Sequence, residues 1–138
     1  MKRYEQIPHT ADLAARIYGG SIPDLFENAA CAMFGMMTDT GNLGADMSVK
    51  VELAACDTES LLISWLNELL YLSFAKKAVF RDFKVRILEG SRLIGEARGQ
   101  AMEKSGVKIH VEIKAATYHD IVIKKTAAGY ETVVVFDI

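Results

Sequence analysis

The residues best suited to chemistry lie near the two ends of the chain. Thr132, Val134 and Phe136 alternate with Val133 and Val135, so this run is apolar on both faces before it stops at Asp137-Ile138. A strand apolar on both faces belongs inside a sheet. Its end carries two negative groups, the Asp137 side chain and the terminal carboxylate of Ile138. Burying carboxylates without partners is costly, so they sit at a rim, pair with a cation or hold a metal. Asp12, beside His9 and Thr10, raises the same question at the start of another strand-like run. A lone aspartate there ordinarily serves a turn. Were it to meet the chain end, three hard oxygen donors would converge. Such a set suits Ca²⁺, Mg²⁺ or Mn²⁺ and not zinc.

Other reactive side chains are scattered. Lys108, His110, Glu112 and Lys114 alternate with Val107, Ile109, Val111 and Ile113, which reads as the solvated face of a one-sided sheet. His9, His110 and His119 lie far apart in sequence and read as surface or satisfied polar residues. Cys31 and Cys56 sit in apolar periodic stretches without the spacing of a zinc site or a disulfide framework. They read as reduced, buried thiols of a cytosolic protein. The sequence contains no Walker-type or dinucleotide-binding glycine loop, no His-Glu-x-x-His and no nucleophile elbow.

The elements that must position these groups fit a single domain, residues 1–138. This length is enough to bury a core, and a chain 51% hydrophobic and 25% charged has ordinary globular composition. No apolar run reaches the roughly 18 residues of a membrane span. Met-Lys-Arg-Tyr-Glu-Gln lacks the apolar core of a secretion signal, so a cytoplasmic protein is expected. A formal net charge of −2 gives no overall pull toward nucleic acid, and direct RNA binding is not expected.

Residues 11–18 alternate as a strand, and Gly19-Gly20 breaks it. Ser21 can cap a helix with Pro23 in its first turn, and Ile22, Leu25, Phe26, Ala29, Ala30, Met33, Phe34 and Met37 repeat at helical spacing. A loop with Asp39, Gly41 and Gly44 leads to a strand through Val49, Val51, Leu53 and Ala55. Asp57 or Thr58 caps a second helix with Leu62, Trp65, Leu66, Leu69 and Leu70 as its apolar stripe, fading near Lys76-Lys77. The remainder reads as all β, with strands through 83–87, 93–102, 107–113, 119–125 and 130–138. Turns fall at Gly90-Ser91, Glu103–Gly106 and Ala127–Gly129. The expected fold is α+β, two-layered, a largely antiparallel sheet with two main helices on one side.

His9-Thr10-Ala11-Asp12, Phe34-Gly35-Met36-Met37-Thr38-Asp39, Trp65-Leu66-Asn67-Glu68-Leu69-Leu70-Tyr71, Lys114-Ala115-Ala116-Thr117-Tyr118-His119 and Val135-Phe136-Asp137-Ile138 together resemble the archease family. The resemblance implies a fold of strand-helix-strand-strand modules, one inserted into the other. It implies a protein cofactor of the GTP-dependent tRNA-splicing ligase (RtcB type), not an enzyme in its own right. Such cofactors promote guanylylation of the ligase's active-site histidine, let it turn over repeatedly and can broaden its nucleotide choice. Some members are linked to chaperone-like help for a tRNA methyltransferase. The family's metal ligands correspond to Asp12, Asp137 and the carboxylate of Ile138, with calcium as the expected ion and Mg²⁺ or Mn²⁺ as alternatives. No organic cofactor is implied. Lys114, in the family's Lys-x-x-Thr-Tyr segment, is the next functional candidate, followed by His9, Asp39 and His119. The pair Leu13-Ala14 departs from the isoleucine-glycine that many members carry after the aspartate. Two rival readings are a metal-dependent hydrolase using Asp12, Asp137 and His9, and a chaperone or small-ligand-binding module with an apolar recognition surface.

Overall fold

The computed structural model describes residues 2–8, 12–89, 91–104 and 107–138. The elements run β1 (Tyr4–Ile7), β2 (Leu13–Gly19), α1 (Ile22–Met37), β3 (Met47–Ala54), α2 (Thr58–Lys76), β4 (Ala78–Leu88), β5 (Arg92–Ala101), β6 (Ala115–Ala116), β7 (Lys124–Thr126) and β8 (Gly129–Asp137), with a short 3-10 turn at Thr40–Asn42.

Local chemistry sets the helix ends. The Ser21 hydroxyl accepts from the Asp24 amide at 3.2 Å, and Pro23 occupies the first turn of α1. At α2 the capping choice falls on Asp57, whose carboxylate accepts from the Ser60 amide at 2.7 Å. That bond holds the Asp57 carboxyl below its usual pKa. The helix stops at Lys77, which turns left-handed at φ 49°.

All ladders are antiparallel, and they divide into two sheets. In one, β8 is central, with β2 on one side and β6 and β7 on the other, and β1 beyond β2. In the other, β5 lies between β3 and β4. Helix α1 packs against both β2 and β4, and α2 against strands of both sheets, so the two sheets share one core. Trp65 lies near its centre. The indole Nε1 donates to the Phe26 carbonyl at 3.0 Å, and the ring meets Phe83 edge-on. A Cβ at Gly95 would come within 2.6 Å of that indole, which explains a glycine in mid-strand. Gly129, at φ 139°, opens β8 where a Cβ would strike the Gly19 carbonyl at 2.3 Å.

The α+β class, the antiparallel pairing and both helices agree with the sequence reading, but several elements differ. Residues 107–113 form no ladder strand. His110 donates its amide to the Met37 carbonyl, and Ile109 makes one bridge with Thr38, so the segment leans on the end of α1. The strand expected at 119–125 shrinks to β7. Asp120 is left-handed at φ 49°, and the Ile123 amide goes to the Glu59 carboxylate instead of a neighbouring strand. The edge strand β1 is too short and polar to announce itself. Cys56 is exposed in the turn before α2, and Cys31 is only partly buried. Burial pushes the Cys31 thiol up. Ser91 takes a positive φ of 53°, as a hairpin turn requires, while Gly90, Ser105 and Gly106 lie outside the described residues.

Candidate functional site

The β2–β8 ladder ends at the pair Leu13–Phe136, so Asp12 and Asp137 are the next residue on each strand. On the other flank of β8, Ala116 pairs with Phe136 and Ala115 with Asp137. Lys114 is therefore the next residue beyond β6, and its amide donates to the Asp137 carbonyl at 2.8 Å. Three neighbouring strands thus end together and carry Asp12, Asp137 and Lys114. Ile138 follows directly, 48% exposed. Asp12 is half-buried and engaged with a partner, whereas the Asp137 side chain is exposed.

Support for this end comes from α2. Asn67 lies on the helix stripe facing β6, its amide nitrogen donating to the Ala116 carbonyl at 3.1 Å. The same side chain accepts from the Ala116 amide at 2.8 Å. Asn67 thereby does for the free edge of β6 what another strand would do. The Val135 carbonyl accepts from both the amide and the hydroxyl of Thr117, at 3.0 and 2.8 Å. Sequence reasoning missed Asn67 and Thr117 as individual candidates. The available signal was a polar residue within the apolar stripe of α2 for Asn67, and the threonine of the Lys-x-x-Thr-Tyr segment for Thr117.

The remaining candidates separate. Asp39 caps the 3-10 turn, accepting from the Gly41 amide at 3.1 Å and the Asn42 side chain at 2.9 Å, a turn role that occupies its carboxylate. His119 lies on the segment leading away from the tip. Its amide donates to the Thr117 hydroxyl at 3.3 Å, and its Nε2 lies 3.4 Å from the Asp120 carboxylate. His9 is outside the described residues.

Among the described residues, no three His, Cys, Asp or Glu side chains gather as a metal site. The tip offers two side-chain carboxylates, those of Asp12 and Asp137. That donor set fits a hard cation, but it supplies only part of the six to eight oxygens that Ca²⁺ takes. Water or another molecule would have to complete the shell.

The fold and this strand end define a class, a small two-layer α+β protein with its candidate chemistry on one open, carboxylate-bearing rim. The chain belongs to the archease family. The family's profile, described as the Archease protein family (MTH1598/TM1083), matches residues 4–138. The protein archease of Methanosarcina barkeri is 39% identical over 141 aligned positions, covering 99% of this chain and 97% of that one. The solution structure of Methanobacterium thermoautotrophicum protein 1598 is 37% identical, covers 100% of both chains and superposes with a TM-score of 0.88. A Thermotoga maritima crystal structure, described as an archease and possible chaperone, is 26% identical, covers 97% of this chain and 96% of that one, and gives a TM-score of 0.66. Among the described residues no helix is long and apolar enough to cross a membrane.

Proposed function

We propose that this chain activates a GTP-dependent tRNA-splicing RNA ligase of the RtcB type, promoting guanylylation of the ligase's active-site histidine and so its multiple turnover. Broader nucleotide use by the ligase follows from the same action. Family membership supports the reading. The observation that carries it is the common ending of three neighbouring strands at Asp12, Asp137 and Lys114. In this reading Asp12, Asp137 and the Ile138 carboxylate hold a divalent cation, Ca²⁺, Mg²⁺ or Mn²⁺. When bound, the cation supplies positive charge to offset phosphate charge during guanylyl transfer. The incomplete oxygen set suits such a task, because the ligase or its nucleotide can fill the open positions. Lys114 adds a cation beside the carboxylates. His9 and His119 take secondary roles, and Asp39 serves its own turn.

The test is multiple-turnover RNA ligation by the cognate ligase with GTP and Mn²⁺. Wild-type protein is expected to raise product beyond one equivalent of ligase. Asp137→Ala should remove that gain while single-turnover ligation by a pre-guanylylated ligase is unchanged. Full stimulation by Asp137→Ala would overturn the metal-tip reading. A chaperone-like role toward tRNA-processing enzymes, such as a tRNA methyltransferase, is the second reading. Exposed aromatic side chains on α2 favour it. Stimulation insensitive to substitutions at the tip would bring it forward.

A further inference from the structure

The edge of a sheet is a row of unpaired backbone groups, and this molecule covers its edges unequally. On β4 the register slips between Phe80 and Asp82, and the outward Val85 amide is taken by the Glu27 carboxylate at 2.9 Å. β1 is only four residues long, and β6, two residues long, is clamped by Asn67. The outer edge of β3 has no such device. It runs for eight residues, Met47–Ala54, without a bulge, a glycine or a proline.

The ladder with β5 fixes which groups of β3 are free. The Ala55 amide donates to the Ser91 carbonyl, so the amides of Leu53, Val51 and Val49, in the same phase, also face β5. Those of Ser48, Lys50, Glu52 and Ala54 point outward, and among the described residues no strand takes them up. The side chains of these four are exposed on one face, while Val49 and Val51 are buried on the other. Met47 and Leu53, at the two ends of that buried face, remain only partly covered.

The strand is complementary to itself. In an antiparallel pair of β3 strands with a two-fold axis at Val51, Lys50 of each copy lies opposite Glu52 of the other. Val49 then meets Leu53, and the outward groups of Lys50 and Glu52 fall at hydrogen-bonded positions. Moving the axis to Lys50 or to Glu52 sets like charges opposite one another, and a slip of one residue sets valine against charge. One register is therefore selected. Lys50 is in no ion pair among the described residues. Glu52 meets Arg92 of its own chain through Oε1 at 3.4 Å, which leaves Oε2 for the lysine of a second copy.

We propose that two copies of this chain pair through the outer edges of β3, joining their three-stranded sheets into one continuous antiparallel sheet. The pairing uses no residue of the carboxylate rim and does not rest on the activator reading.

Sedimentation velocity of the full-length protein over a concentration series tests it, with thermal unfolding of every variant alongside. Wild type should show a concentration-dependent equilibrium between monomer and dimer. Lys50→Glu turns both cross-strand pairs from attraction to repulsion and should raise the dimer Kd about ten-fold or more. Glu52→Lys should do the same. The double variant restores opposite charges in both pairs and should dimerise within about three-fold of wild type, a recovery that two unrelated surface effects would not give. Ser48→Pro removes an outward amide without breaking a bond to β5, so it should disperse the dimer and melt near wild type. A wild-type chain that stays monomeric at millimolar concentration overturns the proposal. A dimer whose Kd is unmoved by Lys50→Glu and by Ser48→Pro forms through another surface, and that also overturns it. So does a monomer that loses the cognate ligase on Ser48→Pro, because the edge then receives a strand of that partner.

Discussion

Replacing Asn67 by alanine isolates the contact that holds β6 against α2. In wild type both main-chain groups of Ala116 go to this one side chain, and Ala116 is 4% exposed. The substitution removes two hydrogen bonds at about 1 kcal/mol each, and groups left dry add roughly 1 kcal/mol more. Alanine's better helix propensity returns up to about 0.5 kcal/mol. The expected net loss is about 2–3 kcal/mol, or roughly 6–15 °C in Tm for a domain of this size. Denaturant and thermal unfolding followed by far-UV circular dichroism measure it. The same variant carries a functional expectation, because Lys114 leads directly into β6 and its amide meets the Asp137 carbonyl. Stimulation per folded molecule should fall with the loosened strand end. Asn67→Asp keeps the acceptor for the Ala116 amide but sets a carboxylate against the Ala116 carbonyl, so it should rescue little. A loss below about 0.5 kcal/mol, less than one ordinary hydrogen bond, would refute the reasoning. It would mean that the ladder with β8 alone fixes β6.

Three further outcomes follow from packing and capping. Gly95→Ala drives a Cβ to 2.6 Å from the Trp65 ring and should cost about 1–3 kcal/mol with a shift in tryptophan emission, read from equilibrium unfolding. Phe34→Ala empties a fully buried site against Phe80 and Phe83, whose ring centroids lie 5.5 and 5.7 Å away, and should cost about 3–5 kcal/mol. The Asp57 carboxyl is held low by the Ser60 amide, so its folded pKa lies below its unfolded one. Its contribution is full above the unfolded value and fades as pH falls through the folded one, below about pH 4. Asp57→Asn keeps a capping oxygen and should flatten that acid limb in a Tm-versus-pH series. Glu5 is likewise held low, first by the Tyr18 hydroxyl at 2.7 Å, and will leave a residual slope in the same series.

The helices were legible because each carries its own start signal and a stripe of apolar residues at helical period. Ser21 with Pro23 and Asp57 with Ser60 act over a few residues, and no distant contact is needed to read them. The central position of β8 was legible for a related reason. A strand apolar on both faces has nowhere else to go, and β8 is flanked on both sides. Residues 107–113 misled because alternation records which side chains are wet, not whether the backbone has a partner. There the pattern persists in part, with Lys108, His110, Glu112 and Lys114 exposed and Ile113 buried but Ile109 exposed too, while the chain rests on the end of α1.

At the candidate site the division is similar. The sequence alone marked Asp12, Asp137 and Ile138 as charges ending apolar runs, since desolvation makes such charges conspicuous wherever they occur. It also carried the motifs of the family to which the chain belongs. That Asp12 and Asp137 end neighbouring strands, with Lys114 on a third, was decided by the register of β2 and β6 against β8, a long-range pairing that no local pattern encodes. Tertiary structure likewise separated Asp39, spent on its own turn, from that rim, and made Asn67 the clamp on β6. It also left Phe74 in solvent. Helical periodicity says which residues share a face, but whether that face is covered depends on where the rest of the chain packs.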